Sequence, residues 1–179
     1  MLTKDNTGLI IVDIQGKLST LVHDSETVIA NTIKLVKGAK ALGLPIIWLE
    51  QNPERLGRTV QGISELLDGV NPISKFTFSG CSESAFNEAI SDANVDSWLV
   101  CGIETHICVY QTAKTLKIEG FNVEVVSDCC SSRDPDNKQL ALNKLQAEGV
   151  GITGLEMCLY ELVEDSRAPV FKDILNLIK

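Results

Sequence analysis

The sequence has no surplus of positive charge: 16 Lys and Arg residues stand against 24 Asp and Glu, a formal net charge of -8. Binding to nucleic acid or to an anionic membrane draws on clustered cations that neutralise phosphates, so neither is expected as a partner, and small molecules or other proteins remain. No apolar run approaches the ~20 residues that span a bilayer. The N-terminus, MLTKDNTGLIIVD, lacks the basic, then apolar, then small-residue order of a secretory signal. There are only two histidines, His23 and His106, and no C-x-x-C, so the spacing of a zinc site is absent and no metal is expected. Neither G-x-x-x-x-G-K-[ST] in the segment DIQGKLSTLV nor G-x-G-x-x-G after any apolar run is found, which argues against a bound nucleotide. No internal repeat or low-complexity segment is visible.

What is present is the make-up of a globular domain, 44% hydrophobic and 22% charged over 179 residues. A chain of this size can bury about two thirds of its unfolded surface, and one domain spanning 1–179 is expected. Six cysteines, at 81, 101, 108, 129, 130 and 158, are irregularly spaced. With no secretory signal, that pattern favours reduced thiols and a cytoplasmic location.

Apolar runs alternate with amphipathic stretches throughout, the pattern of a parallel sheet covered by helices. Strands are expected at 8–14 (GLIIVDI), 45–50 (PIIWLE), 75–81 (KFTFSGC), 97–103 (SWLVCGI), 122–128 (NVEVVSD) and 150–153 (VGIT). Helices are expected at 25–42, ending at Gly43, then near 60–67, at 83–93 and at 105–119. A further helix opens at Asp134-Pro135 and ends at Gly149, and two more lie in the tail, separated near Pro169. The fold class is α/β, a three-layer αβα sandwich on a doubly wound, Rossmann-like six-stranded parallel sheet in the order 3-2-1-4-5-6.

In such a sheet ligands bind beyond the carboxyl ends of the strands where the order reverses, here between the first and fourth strands. Those strands end at Asp13 and at the turn GIETHIC. With Thr105 as N-cap, Cys108 falls at N3, where free amides and the helix dipole favour a thiolate and could also receive an oxyanion. His106 is only two positions away and points elsewhere on a helix. Asp13 is the better-placed base, and Lys75, the first residue after the long 51–74 connection, is the expected cation.

TGLIIVDIQ with Asp13, the triplet SKF with Lys75 and CGIETHICVYQTA with Cys108, in that order, resemble the isochorismatase-like cysteine hydrolase superfamily. The segment EQNPERLG at 50–57 is most similar to the isochorismatase-domain proteins within it. The resemblance implies an Asp13–Lys75–Cys108 triad, oxyanion donors in the turn Glu104–Thr105–Cys108, a cis peptide between Ile103 and Glu104, and a homo-oligomer. It implies no metal either: nicotinamidases of the superfamily carry metal-binding histidines after the second strand, where this chain has LEQNPERLG. A cysteine nucleophile implies cleavage of a C–N bond in a small amide or related carbonyl compound through a thioester, without a cofactor. Two other activities stay open, a non-catalytic scaffold that retains the fold and an isochorismatase-type vinyl-ether hydrolase.

Several residues read equally well in two ways. Gln15, Gln51 and Phe76 are candidate substrate contacts, and Glu104 and His106 could touch substrate or be exposed turn residues. Phe78, Leu56 and Trp48 could line an apolar pocket or pack in the core. Cys81, Cys101 and Cys158 read as packing residues, and so does the pair Cys129-Cys130.

Overall fold

A computed structural model describes all residues, Met1–Lys179. Six strands form one all-parallel sheet: β1 (Thr7–Val12), β2 (Ile46–Gln51), β3 (Ile73–Lys75), β4 (Ser97–Ile103), β5 (Asn122–Ser131) and β6 (Gly151–Thr153). Their order is β3-β2-β1-β4-β5-β6, the doubly wound order expected, with the reversal between β1 and β4. Every residue of β1 and β4 is buried, because helices cover both faces and leave no reason for polar alternation.

The chain enters α2 (Ser25–Leu42) after one short turn, α1 (Leu18–Leu21). Between β2 and β3 lie two single turns, α3 (Pro53–Leu56) and α4 (Gln61–Ser64), where one helix near 60–67 was expected. Beyond β3 come α5 (Ser84–Ala93), α6 (Tyr110–Ile118), α7 (Pro135–Ala147), α8 (Leu155–Val163) and α9 (Phe171–Ile178). Helices α2, α8 and α9 pack together on one face of the sheet, and α5, α6 and α7 belong to the other. The Asp134 side chain caps α7 as the sequence indicates, accepting from the Asp136 amide at 2.9 Å.

Three strands differ from expectation, β1 by ending at Val12 rather than at 14, and β3 and β5 by more. β3 ends at Lys75 rather than beginning there. Phe76 and Phe78, whose alternation with Thr77 mimics a strand, are 75% and 53% exposed. Thr77 instead bonds the Glu83 carboxylate at 2.9 Å and turns the chain away. β5 runs three residues past Asp128, because its pairing with β4 shifts register between Val100 and Gly102 and then resumes with Gly102 opposite Cys130 and Ile103 opposite Ser131. That irregularity keeps Cys129 and Cys130 inside the sheet, both fully buried.

Gly102 brings the two halves of the sheet together at the reversal. It pairs with Val12 in register and adopts φ +133°, and a Cβ there would lie 2.0 Å from the Val12 carbonyl oxygen. Only glycine fits. The next residues in each strand, Asp13 and the Ile103–Glu104 step, are thereby set side by side.

Candidate active site

Asp13 leaves β1 with φ +51°, in the left-handed region that a non-glycine residue seldom visits, and its amide bonds the Leu49 carbonyl at 3.2 Å. Its side chain is buried and meets that of Lys75, which is fully buried at the end of β3. The Lys75 ammonium donates to Asp13 Oδ2 at 2.7 Å, to Gln51 Oε1 at 2.6 Å and to the Thr77 carbonyl at 3.3 Å. All three of its protons are committed, so Lys75 holds Asp13 in place and has none left for a ligand. The second oxygen of the carboxylate, Oδ1, is buried without a hydrogen-bond partner.

Cys108 is coupled electrostatically to that carboxyl and to Lys75. It sits in a widened π-type turn (Thr105–Val109) that precedes α6, with Glu104 rather than Thr105 at the N-cap position. The Ile107 and Val109 amides both bond the Glu104 carbonyl, at 3.1 and 3.4 Å, and the Cys108 amide between them does not. The Ile103–Glu104 peptide is cis.

The expected resting thiolate is not what this environment favours. Burial, and then the adjacent Asp13 charge, push the Cys108 thiol up to about 12 against the pull of Lys75. Burial likewise raises Asp13, although Lys75 opposes it. All six thiols are free, and the other five are raised as well. What distinguishes Cys108 is therefore its acceptor and its cation, not its acidity.

A pocket of about 110 Å³ opens over Cys108. Its apolar wall is Leu18, Leu56, Phe78, Ile103 and Ile107, and its polar side chains are Asp13, Gln15, Gln51 and Glu104. Gln15 is fully buried and bound to backbone throughout: Oε1 accepts from the Gln51 amide at 2.7 Å, and Nε2 donates to the Gln51 and Gly57 carbonyls at 2.9 and 2.6 Å. Its role here is to join the loop after β1 to the segment after β2. Gly16 makes this approach feasible, since a Cβ on it would fall 1.7 Å from the Leu56 carbonyl oxygen.

Of the other candidates, Gln51 lines the pocket while holding Lys75, and its Nε2 donates to the Phe76 carbonyl at 2.8 Å. The Phe76 ring is outside; Phe78 takes the place expected of it. Trp48 is buried away from the pocket, with its indole N–H on the Val70 carbonyl. Glu104 is 5% exposed rather than a surface turn residue, and its Oε1 accepts from the Arg133 amide and from Arg133 Nε, both at 3.0 Å. His106 Nδ1 pairs with Ser132 Oγ at 2.9 Å, and His23 is exposed. Leu18, Ile107 and Arg133 were not singled out by sequence. Ile107 could have been, as the neighbour of Cys108, whereas the Glu104–Arg133 pair spans 29 residues and has no local signal. No three His, Cys, Asp or Glu side chains are grouped to hold a metal ion, and no helix is long and apolar enough to cross a membrane.

The architecture has close counterparts among known proteins. The chain is 36% identical over 175 residues to the "Secreted isochorismatase effector Isc1" of Phytophthora sojae, an alignment covering 96% of this chain and 83% of that protein. The solved structure of the "MAR1 Ribonuclease" from Caenorhabditis elegans superposes with a TM-score of 0.94 at 31% identity, covering 99% of this chain and 91% of that one. The YcaC protein of Escherichia coli, described as an octameric hydrolase of unknown specificity, superposes with a TM-score of 0.90 at 23% identity, covering 99% and 94%. The isochorismatase domain model matches residues 7–157, a span that holds Asp13, Lys75, Cys108 and all six strands, and the chain belongs to the isochorismatase family.

Proposed function

We propose that the chain, acting as a single hydrolase domain over residues 1–179, is a cofactor-independent cysteine hydrolase that cleaves the C–N bond of a small amide or related carbonyl compound. The observation that carries this reading is a buried carboxylate fixed by Lys75 through one oxygen, its other oxygen free, beside a thiol at the floor of a small pocket.

Cys108 gives its proton to Asp13 as its sulfur attacks the substrate carbonyl, so the transfer is coupled to bond formation and no resting thiolate is needed. The amides of Thr105 and Cys108 receive the oxyanion. The C–N bond then breaks, the leaving nitrogen takes the proton from Asp13, and an acyl thioester remains on Cys108. Water loses a proton to Asp13, attacks the thioester and expels the thiolate, which recovers that proton. Lys75 keeps Asp13 oriented throughout and draws the Cys108 thiol down against burial.

A pocket of about 110 Å³ is smaller than the ~150 Å³ cavity that admits benzene, which suits an acyl group of a few heavy atoms. That size and the net charge of -8 speak against a nucleic acid as substrate, whatever the Caenorhabditis elegans relative acts on. The octameric Escherichia coli relative supports assembly of this chain with itself. Six free thiols suit a reducing, cytoplasmic location, although the Phytophthora sojae relative is by name secreted.

The test is a panel of small primary amides, reading ammonia release and the intact mass of acid-quenched protein. Acyl adducts on Cys108, absent in Cys108→Ser and strongly slowed in Asp13→Asn, are expected. Ammonia release that survives in Cys108→Ser would refute the thioester route in favour of cysteine-independent hydrolysis. Silence across the panel in wild type would favour the scaffold.

A further inference from the structure

The four polar side chains lining the pocket are not equally free. Gln15 is bound to backbone at both ends of its amide, and Gln51 Oε1 is taken by Lys75, which leaves Gln51 at most a spare N–H. Asp13 has one oxygen on Lys75 and the other buried without a partner, kept for the thiol proton in the route above. Glu104 differs. Both of its hydrogen bonds, from the Arg133 amide and Nε, fall on Oε1. Oε2 makes none and is not sealed from solvent, although the residue is 5% exposed. Besides Asp13 Oδ1, the proposed base, it is the one uncommitted carboxylate oxygen among the lining side chains, most of which are apolar.

An acceptor there discriminates by what the substrate carries on its scissile carbonyl. With the carbonyl carbon over Cys108 and its oxygen toward the turn amides, the acyl chain and the leaving group lie against the rest of the lining, and it is the leaving group that differs between substrate classes. A primary carboxamide or a ureido group presents N–H donors on that group; an ester or a tertiary amide presents none. We propose that Glu104 Oε2 accepts an N–H of the scissile carboxamide, making Glu104 the specificity residue that selects primary amide and ureido substrates over esters. This rests on the thioester route above. Arg133 has a positioning role, clamping Oε1 from outside so that Oε2 is left for the pocket. A pocket acceptor that must meet a donor rejects an analogue lacking it, because the acceptor is then desolvated without a partner. A carboxylate at this place also disfavours anionic substrates.

Glu104→Gln is the informative change. The Arg133 donors still need an acceptor, so the new amide turns its oxygen to Arg133 and its NH2 into the pocket, where a donor now faces the substrate donor. The experiment measures acylation of Cys108 by intact mass with a primary amide, its N,N-dimethyl amide and its methyl ester, all of one small acyl group, in wild type, Glu104→Gln and Arg133→Met. The expected result is a ten- to hundredfold loss of primary-amide acylation in Glu104→Gln, the size of a lost bond to a charged acceptor, with ester acylation unchanged. In wild type the primary amide outpaces the dimethyl amide, a comparison that needs no variant to fold. Arg133→Met, which keeps the carboxylate, loses less than Glu104→Gln. Equal losses for amide and ester would make Glu104 a structural residue and overturn the inference while leaving the thioester intact. If neither amide nor ester acylates Cys108 in wild type, the thioester route fails and the inference falls with it.

Discussion

Replacing Lys75 by methionine tests how the site is held together, because the change removes the charge while nearly filling the space. In the folded protein both side chains of the pair are sealed, at 0% and 2% exposure, with 2.7 Å between Nζ and Oδ2. Without Lys75, Gln51 Oε1 and the Thr77 carbonyl lose a donor, and orphaned acceptors of this kind cost about 1–3 kcal/mol. Where Asp13 is ionised, the unpaired buried charge brings the total to about 3–5 kcal/mol. The split between these depends on pH. Burial already raises Asp13 above its ordinary value of 3.8, and the Lys75 charge is the largest influence opposing that rise, so methionine moves Asp13 higher still. A carboxyl whose folded pKa exceeds its unfolded one binds more protons folded than unfolded. Stability then falls with rising pH, by at most about 1.4 kcal/mol per unit, from the unfolded pKa until the folded pKa is passed. In the variant that fall extends to higher pH than in wild type. Urea denaturation at pH 4.5, 6.0 and 7.5, with slopes unchanged, should therefore show a penalty near the lower figure at pH 4.5, growing to the higher one at pH 7.5. Adding Asp13→Asn should flatten the dependence. A Lys75→Met penalty of the same size at pH 4.5 and 7.5 would refute this account of the pair.

Asp13→Asn removes a charge that raises the Cys108 thiol and leaves Lys75, which lowers it. Iodoacetamide at pH 8.5 should accordingly modify Cys108 faster in that variant than in wild type while acyl turnover is lost; a slower reaction would contradict the electrostatics. Gly102→Ala, with φ +133° and the Val12 oxygen 2.0 Å from the new methyl, should lower stability by about 3 kcal/mol or more, a fall in Tm of roughly 6–12 °C by calorimetry. An unchanged Tm would mean that β1 and β4 do not meet there as described. Phe78→Ala should slow acylation of Cys108 by small apolar amides several-fold, whereas Phe76→Ala, 75% exposed, should leave it unaltered. Equal effects of the two would place the pocket wall elsewhere.

The parts of the fold that sequence revealed are those whose cause is local. β4 begins and ends where its apolar run does, 97–103, because both faces are covered. The start of α7 is written in Asp134-Pro135. The errors arise where distant partners decide. Phe76-Thr77-Phe78 has the alternation of a strand but no partner strand beside it, and Cys129–Ser131 look like the residues after a strand but are paired by the register shift with β4. The site divides similarly. The placement of Asp13 and Cys108 at the reversal follows from the topology of a doubly wound sheet, while the roles expected of them, and Lys75 altogether, depended on likeness to a family, since any lysine at a strand end is ordinarily solvated. The backbone bonds of Gln15 and the Arg133 clamp on Glu104 join segments 29 to 42 residues apart, beyond the reach of periodicity or spacing.

The meeting of Gly16 with the Leu56 carbonyl has an evolutionary consequence. Asp13, Lys75 and the turn that carries Cys108 issue from strand ends, whereas Leu18, Leu56 and Phe78 stand on short turns and a loop outside the sheet. The two groups are joined by the close backbone approach at Gly16 and by the side-chain amide of Gln15. Changes at Leu56 and Phe78, 41% and 53% exposed, would thus alter which acyl groups enter while the reacting groups keep their relative placement. New preferences can arise by changing the doorway and leaving the machinery behind it alone.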